Sequence, residues 1–546
     1  MRLFAPSLCN LGFSTPLKVS LGTQCPRFIK RLSANFIAVW FFTLTILHGG
    51  YAQSYVPFVV DNPKSFLSSE WVEFGIPLGF INETDESHFF VVDDEGDVVP
   101  ADFKALSREG GDRKDTTQRI VWLGVKVYAQ VSGGSPQSSR QYFLVHDANP
   151  PSSTESLGVN ETSLTITLNP TSEVSFEINK TSPLFSDIQV GGTSILSSPS
   201  TVEYSLLPNS PPLPVTVDST EIEEMGTYTA VIKQKMHFLT SSSPSDRINL
   251  TLRLWFGYGS NRVKWSLIIS NPKPYGNFNG APDYSEMFEG LWFRIPISNI
   301  GLAKTTLGSY QLSQSDNLLI SQDFNYVVNS SGTGWNFNEN LLDDFKVSVD
   351  LNNVSTTLND FRFNGVLYTH GSGGGLGVKM VNFWQKFPAS LGKVGDSLVI
   401  SPYPPFGNGP EVNGQYGTPF NTSSNPPLSN SDILYVLQGG REIRHTGIFF
   451  VSSTEPTEAA LSRLDGIAQK PLSGRANPGY LEQIDAFGKS WVAQRQWGDV
   501  GRERAERLNK IWVDDSAADN QPGLGKIGYP LFISRGGTYG HMQSYG

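Results

Sequence analysis

Cysteine is nearly missing from this chain: there are two in 546 residues, Cys9 and Cys25, both near the amino end. Charge is also scarce, at 17 % Asp, Glu, Lys and Arg, against about a quarter in an ordinary soluble domain. No acidic residue precedes Asp61. No HExxH or GxSxG sequence occurs, and the seven histidines (48, 88, 146, 237, 370, 445, 541) show no paired spacing. These gaps leave nothing beyond residue 25 for a disulfide or a thiolate metal site. They also argue against a zinc hydrolase or a Ser-His-Asp hydrolase within these residues, so no metal site is expected. No basic cluster suits nucleic acid, and none is expected as a partner.

What the chain has is 38 % hydrophobic and 12 % aromatic residues, 53 glycines and 35 prolines, with Ser, Thr and Asn supplying the polarity. Many aromatics and turn formers point to a large β-rich protein with broad neutral surfaces, as sugar-handling proteins often have. The first 52 residues read as targeting. Arg2, Lys18, Arg27, Lys30 and Arg31 precede the apolar run Ala34–Leu47, and Gly49, Gly50 and Ala52 follow. That order makes a secretory signal with cleavage near Ala52, its core being short for a span of about 20 residues; an uncleaved anchor is the alternative, since the basic stretch before the core is long. A secreted, periplasmic or cell-surface protein with no stable membrane partner is expected. Without the signal, 36 Lys and Arg stand against 51 Asp and Glu, a net −15 with no cysteine. Seven N-x-S/T sequons occur, about what the composition alone would produce.

Three zones follow. Residues 55–150 alternate as short strands at Ser69–Phe74, Phe89–Val92, Ile120–Gln130 and Gln141–His146, which reads as a small barrel or sandwich. Asp93-Asp94-Glu95-Gly96-Asp97 reads as a hairpin turn with Gly taking positive φ. It is not an EF-hand, because the bidentate Glu at position twelve is missing. A Pro/Ser linker at 149–153 leads to a second β zone, 155–453, too long for one simple layer and expected as a large sandwich. From 456 the pattern turns helical, with Pro456 and Glu458 at a helix start, Asn477-Pro478 at another, and an amphipathic stretch over 498–512. The chain stops in a Gly-rich aromatic phrase, which reads as a truncation.

Several motifs have a bland and a functional reading. His370–Lys379 has GxGxxG-like spacing, but VNFW and a proline follow with no GK[ST] there, so a flexible loop is expected rather than a phosphate cradle. Arg441, Arg444 and His445 beside a Gly turn suit a uronate carboxylate, with Arg supplying a bidentate fork; the bland reading is a turn and strand at the sandwich edge. Trp255-Phe256, Trp292-Phe293 and Phe383-Trp384 suit sugar stacking or, more simply, a β core. Glu95, Asp343 and Asp344 are the carboxylates available for glycoside hydrolysis.

The order of these zones, with the phrases EFGIPLGF, VVDDEGDVVPADF, RLWFGYGSNRVKWSLIISN, NFWQKFP, LYVLQGGREIRHTGIFF and TYGHMQSYG, resembles the exo-acting rhamnogalacturonan lyases and YetA-like proteins. The resemblance implies a mainly β fold: a RIFT-type β-barrel over 55–150, a central β-sandwich over 155–453, and the start of an incomplete α/α toroid over 456–546. It implies β-elimination on rhamnogalacturonan or a related uronic-acid polysaccharide, with the site where toroid meets sandwich. His541 and Tyr545 would approach from the toroid and His445 from the sandwich as catalytic groups, with Arg441, Arg444 and Trp384 binding substrate. The family tends to place an acid after the Arg-His pair, where this chain has Thr446-Gly447. The competing expectation is a non-catalytic carbohydrate-binding or surface-structural β protein of the same architecture. The sequence names no cofactor.

Overall fold

Alternation of apolar and polar residues dictates most of what is seen in the computed structural model. It describes residues 55–134, 138–207, 210–274, 286–324, 345–359, 361–386, 388–404, 435–437, 439–484 and 486. Residues 1–54, Asp343, Asp344, the stretch 498–512, His541 and Tyr545 lie outside the described residues. The fold is mainly β, every printed strand pair is antiparallel, and the helices are few. Among the described residues no helix is long and apolar enough to cross a membrane.

The barrel zone has two sheets. Ser68–Pro77, Ile120–Val131 and Ala101–Arg108 form one; Tyr55–Asn62, Ser138–His146, Phe89–Asp93 and Val98–Val99 run side by side in the other. Val56, Phe58 and Val60 point inward from one strand and Val125, Val127 and Ala129 from another, as a period of two requires. The Asp93–Asp97 turn forms as expected. Asp93 Oδ1 accepts the amides of Glu95 (3.0 Å) and Asp97 (2.9 Å), and Gly96 takes φ +87°. Arg140 then pairs with Asp93 and Asp94 at 2.8 and 2.7 Å, so these acids serve a turn.

The barrel is completed from far along the chain. Ser473–Ala476 adds an edge strand to Tyr55–Asn62, with Phe58 opposite Ala476, and Leu472 and Tyr480 enter the barrel core. The Tyr480 hydroxyl donates to the Pro77 carbonyl at 2.9 Å. Tyr480→Phe is expected to cost about 1 kcal/mol in urea unfolding; no change would show that the carbonyl has another partner. The helix Glu458–Gln469 begins at an N-cap Thr457 and buries Leu461 and Leu464 against Val366, Tyr368, Ile448 and Phe450 of the sandwich. The described residues after 456 thus pack onto the sandwich and the barrel.

The sandwich joins an eight-stranded and a nine-stranded sheet, flanked by a five-stranded sheet over residues 158–194. One continuous core runs between the layers: Trp265 of the larger sheet meets Phe293 of the smaller edge-on at 6.1 Å. Two expectations change here. Glu442–Ser452 is not an edge strand, because it pairs with both Arg262–Ser270 and Gly374–Met380. His370–Lys379 is not a loop but the hairpin of Val366–Gly371 with Gly374–Met380. The glycines are there for space: a Cβ on Gly377 would lie 2.0 Å from the Phe450 ring, and one on Gly375 would lie 2.3 Å from the Tyr368 hydroxyl.

Candidate functional site

The outer face of the nine-stranded sheet meets the outer face of the barrel strand Ser68–Pro77, and a cleft of about 730 Å³ lies between them. Register fixes which side chains line it. Ile448, Lys264, Trp255 and Val231 form one cross-strand row, and Thr446, Ser266 and Arg253 the next. Arg444 and Arg262 extend the same face, while Trp71 and Glu73 approach from the barrel, and Ile467, Ala468 and Pro471 close one end.

The two walls are tied together. The Trp71 indole donates to the Tyr258 carbonyl at 3.0 Å; a Cβ on Gly257 would stand 2.2 Å from that nitrogen, so only glycine lets the ring in. Asp102 of the barrel accepts the amides of Thr227 (2.7 Å) and Tyr228 (3.1 Å) and the Thr229 hydroxyl (2.7 Å). Lys126 pairs with Glu224 at 2.6 Å. The cleft therefore has preformed walls, which suits binding without a large ordering cost.

Its charges differ in availability. Arg253 is held bidentate by Glu223 at 2.6 and 2.9 Å, and the hydrogen bond from Arg253 holds the Glu223 carboxyl at about 2. Arg262 donates to the Ser69 carbonyl (2.6 Å) and Lys264 to the Trp71 carbonyl (3.1 Å), neutral partners that leave their charge uncancelled. Desolvation between the two walls lowers the Lys264 pKa, with Arg262 and Lys64 adding to that effect and Glu70 and Glu73 opposing it. Glu70 is itself buried and pairs with Lys64 at 2.7 Å. The Arg444 side chain is exposed and makes no hydrogen bond or ion pair among the described residues.

Of the residues singled out by sequence, the structure places Arg444 and Trp255 in the lining of the cleft. His445 is its neighbour in the chain but points to the opposite face, 3 % exposed, with Tyr403 edge-on at 5.4 Å. Neither of its ring nitrogens has a partner among the described residues, and burial, then Lys386, holds its pKa at about 3. Strand alternation thus separates Arg444 from His445. Arg441 sits half-buried at the turn before the strand, its carbonyl accepting the Asn271 amide. Trp384 lies half-buried in a 3-10 turn, with the Arg362 guanidinium 4.6 Å over its ring. Glu95 is exposed in the barrel turn.

Sequence reading did not find Trp71, Arg262 and Lys264. The signal was present: Arg262, Lys264 and Ser266 alternate with Val263, Trp265 and Leu267, so the polar set shares one face. That Trp71 would cover this face was not local information. Among the described residues one set has metal-ligand spacing, Glu83, His88 and His146 on the barrel, although the histidines had suggested no site.

No known family profile matches the chain, and no curated protein matches it. Solved structures do. An α-mannosidase from Enterococcus faecalis aligns with TM-score 0.38 and 10 % identity over 78 % of this chain and 46 % of its own length. A galactose mutarotase related enzyme from Lactobacillus acidophilus gives 0.25 and 9 % over 55 % and 99 %. A galactose mutarotase-like protein from Clostridium acetobutylicum gives 0.28 and 10 % over 55 % and 99 %. The chain spans about half the length of the mannosidase.

Proposed function

We propose that the cleft binds a uronate-bearing stretch of an acidic polysaccharide, rhamnogalacturonan or a related polymer, outside the cell. The observation that carries this is the row in which Trp255 and Lys264 stand side by side on paired strands below Trp71, with Arg444, unpaired among the described residues, on the same face. Trp rings stack on the apolar faces of sugars, and Arg and Lys make charge-assisted bonds to a carboxylate. The volume suits an oligosaccharide segment, since ligand clefts run from about 300 to 1,000 Å³.

The reaction these groups support is β-elimination. Arg444 and Arg262 neutralise the uronate carboxylate, which lowers the cost of a carbanion at C5. Lys264, its pKa lowered by desolvation, is the group placed to take the C5 proton. The C5–H electron pair forms the C4–C5 double bond as the C4–O bond breaks, and the leaving oxygen keeps that bond's electron pair and takes a proton from water. His541 and Tyr545, outside the described residues, remain alternative proton carriers, and Arg441 and Trp384 outer contacts. The second reading, carbohydrate binding without turnover, is favoured by Lys126 and Arg253, whose charges are already cancelled by Glu224 and Glu223.

Calorimetric titration with rhamnogalacturonan oligosaccharides, beside ultraviolet absorbance for an unsaturated uronate, separates the two. Binding with product supports elimination, binding without product the second reading, and no binding sinks both. Trp255→Ala and Arg444→Ala are each expected to weaken binding roughly tenfold, whereas Glu95→Gln leaves it unchanged.

A further inference from the structure

The barrel holds a convergence that neither the cleft nor the proposed reaction uses. Glu83 lies in the loop after Ser68–Pro77, His88 ends a 3-10 turn, and His146 closes the strand Ser138–His146. Pairing of Phe89 with His146 brings the two imidazoles together although 58 positions separate them in the chain. His88 Nδ1 and His146 Nε2 both lie 2.7 Å from one atom, Glu83 Oε2. The other carboxylate oxygen is occupied by the amides of Thr84 (2.6 Å) and Asp85 (2.8 Å).

We propose that Glu83, His88 and His146 form a binding site for a divalent transition-metal ion of the zinc class, with a fourth position open to solvent. Three observations support it. The donor set, two imidazoles and one carboxylate, is one that borderline ions such as zinc take. The backbone around it is fixed: Ile120 N donates to the Glu83 carbonyl at 2.8 Å and Asp147 N to the His88 carbonyl at 2.9 Å. An outer carboxylate is in place as well, since Asp85 Oδ2 lies 4.0 Å from His88 Nε2, the nitrogen that would keep its proton.

The three ligand atoms already lie within 4.8 Å of one another. A tetrahedral ion with bonds of about 2.0–2.1 Å spaces its ligands about 3.3 Å apart. Each imidazole nitrogen at 2.7 Å from Glu83 Oε2 therefore has to stand about half an ångström farther from that oxygen, as its proton shifts to the other nitrogen or leaves. The ion would clamp the 3-10 turn to the barrel strand.

Titration of the full chain with zinc, followed by calorimetry and thermal unfolding, tests this. One equivalent is expected to bind with micromolar or tighter affinity and to raise Tm. Cobalt in its place should give visible d–d absorption. His88→Gln and His146→Gln keep a donor to Glu83 but remove the ligand nitrogen, and each is expected to weaken binding by at least tenfold. Both should fold, because the hydrogen bond survives. Absence of saturable binding to the natural chain, or equal zinc affinity in the Gln variants, overturns the site and leaves a hydrogen-bonded triad. The outcome is independent of polysaccharide binding in the cleft.

Discussion

Acidification from pH 7 to pH 4 is expected to remove about 3 kcal/mol of folding stability through His445 alone. This imidazole is 3 % exposed, packs edge-on against Tyr403, and has no hydrogen-bond partner for either nitrogen among the described residues. Desolvation and the Lys386 charge hold its pKa at about 3, against 6.5 when unconstrained. The unfolded chain therefore takes up the proton first. Stability falls as pH drops below 6.5 and goes on falling to about 3, at roughly 1.4 kcal/mol per pH unit once well inside that window. Urea unfolding of the natural chain and of His445→Leu at both pH values isolates the effect, since every other group titrates in both. The variant should lose about 3 kcal/mol less on acidification. Equal losses would show that His445 meets water or a partner that the described residues do not include.

Replacing Gly447 with alanine is expected to cost about 3 kcal/mol or more, at the upper end for overpacking in a filled core. An added Cβ would stand 2.3 Å from the Lys379 carbonyl oxygen and 2.5 Å from the Trp265 ring. Neither neighbour can retreat. Gly447 pairs with Trp265 on one side and Met380 on the other, so a shift would break ladder hydrogen bonds. The adjoining Thr446 faces the cleft, and Thr446→Ala should stay within about 0.5 kcal/mol. Denaturation midpoints for the two variants decide the matter; an unchanged midpoint for Gly447→Ala would mean that the sheet opens at this position.

Much of the fold was legible because it is local. The strands around Ile120–Gln130, Asn249–Phe256 and Val263–Ser270 show their alternation directly, and Asp93–Asp97 carries its own turn chemistry in Asp93 and Gly96. The helix start near Glu458 was equally local, with Thr457 capping it. His370–Lys379 misled because glycine has two uses. A run of glycines reads as a loop, yet Gly375 and Gly377 are small so that Tyr368 and Phe450 can lie over the strand. Arg441, Arg444 and His445 misled differently. They were grouped by adjacency in sequence, whereas on a strand adjacency means opposite faces.

The sequence by itself determined the β character, the alternation that turns Arg262, Lys264 and Trp255 to one face, and the turns and caps, since each depends on residues a few positions apart. Only the tertiary structure decided what covers that face, that Ser473–Ala476 returns to the first barrel strand, and that His88 and His146 meet on Glu83. These contacts join residues tens to hundreds of positions apart. Their partners are chosen by the burial of whole sheets, which no local pattern encodes.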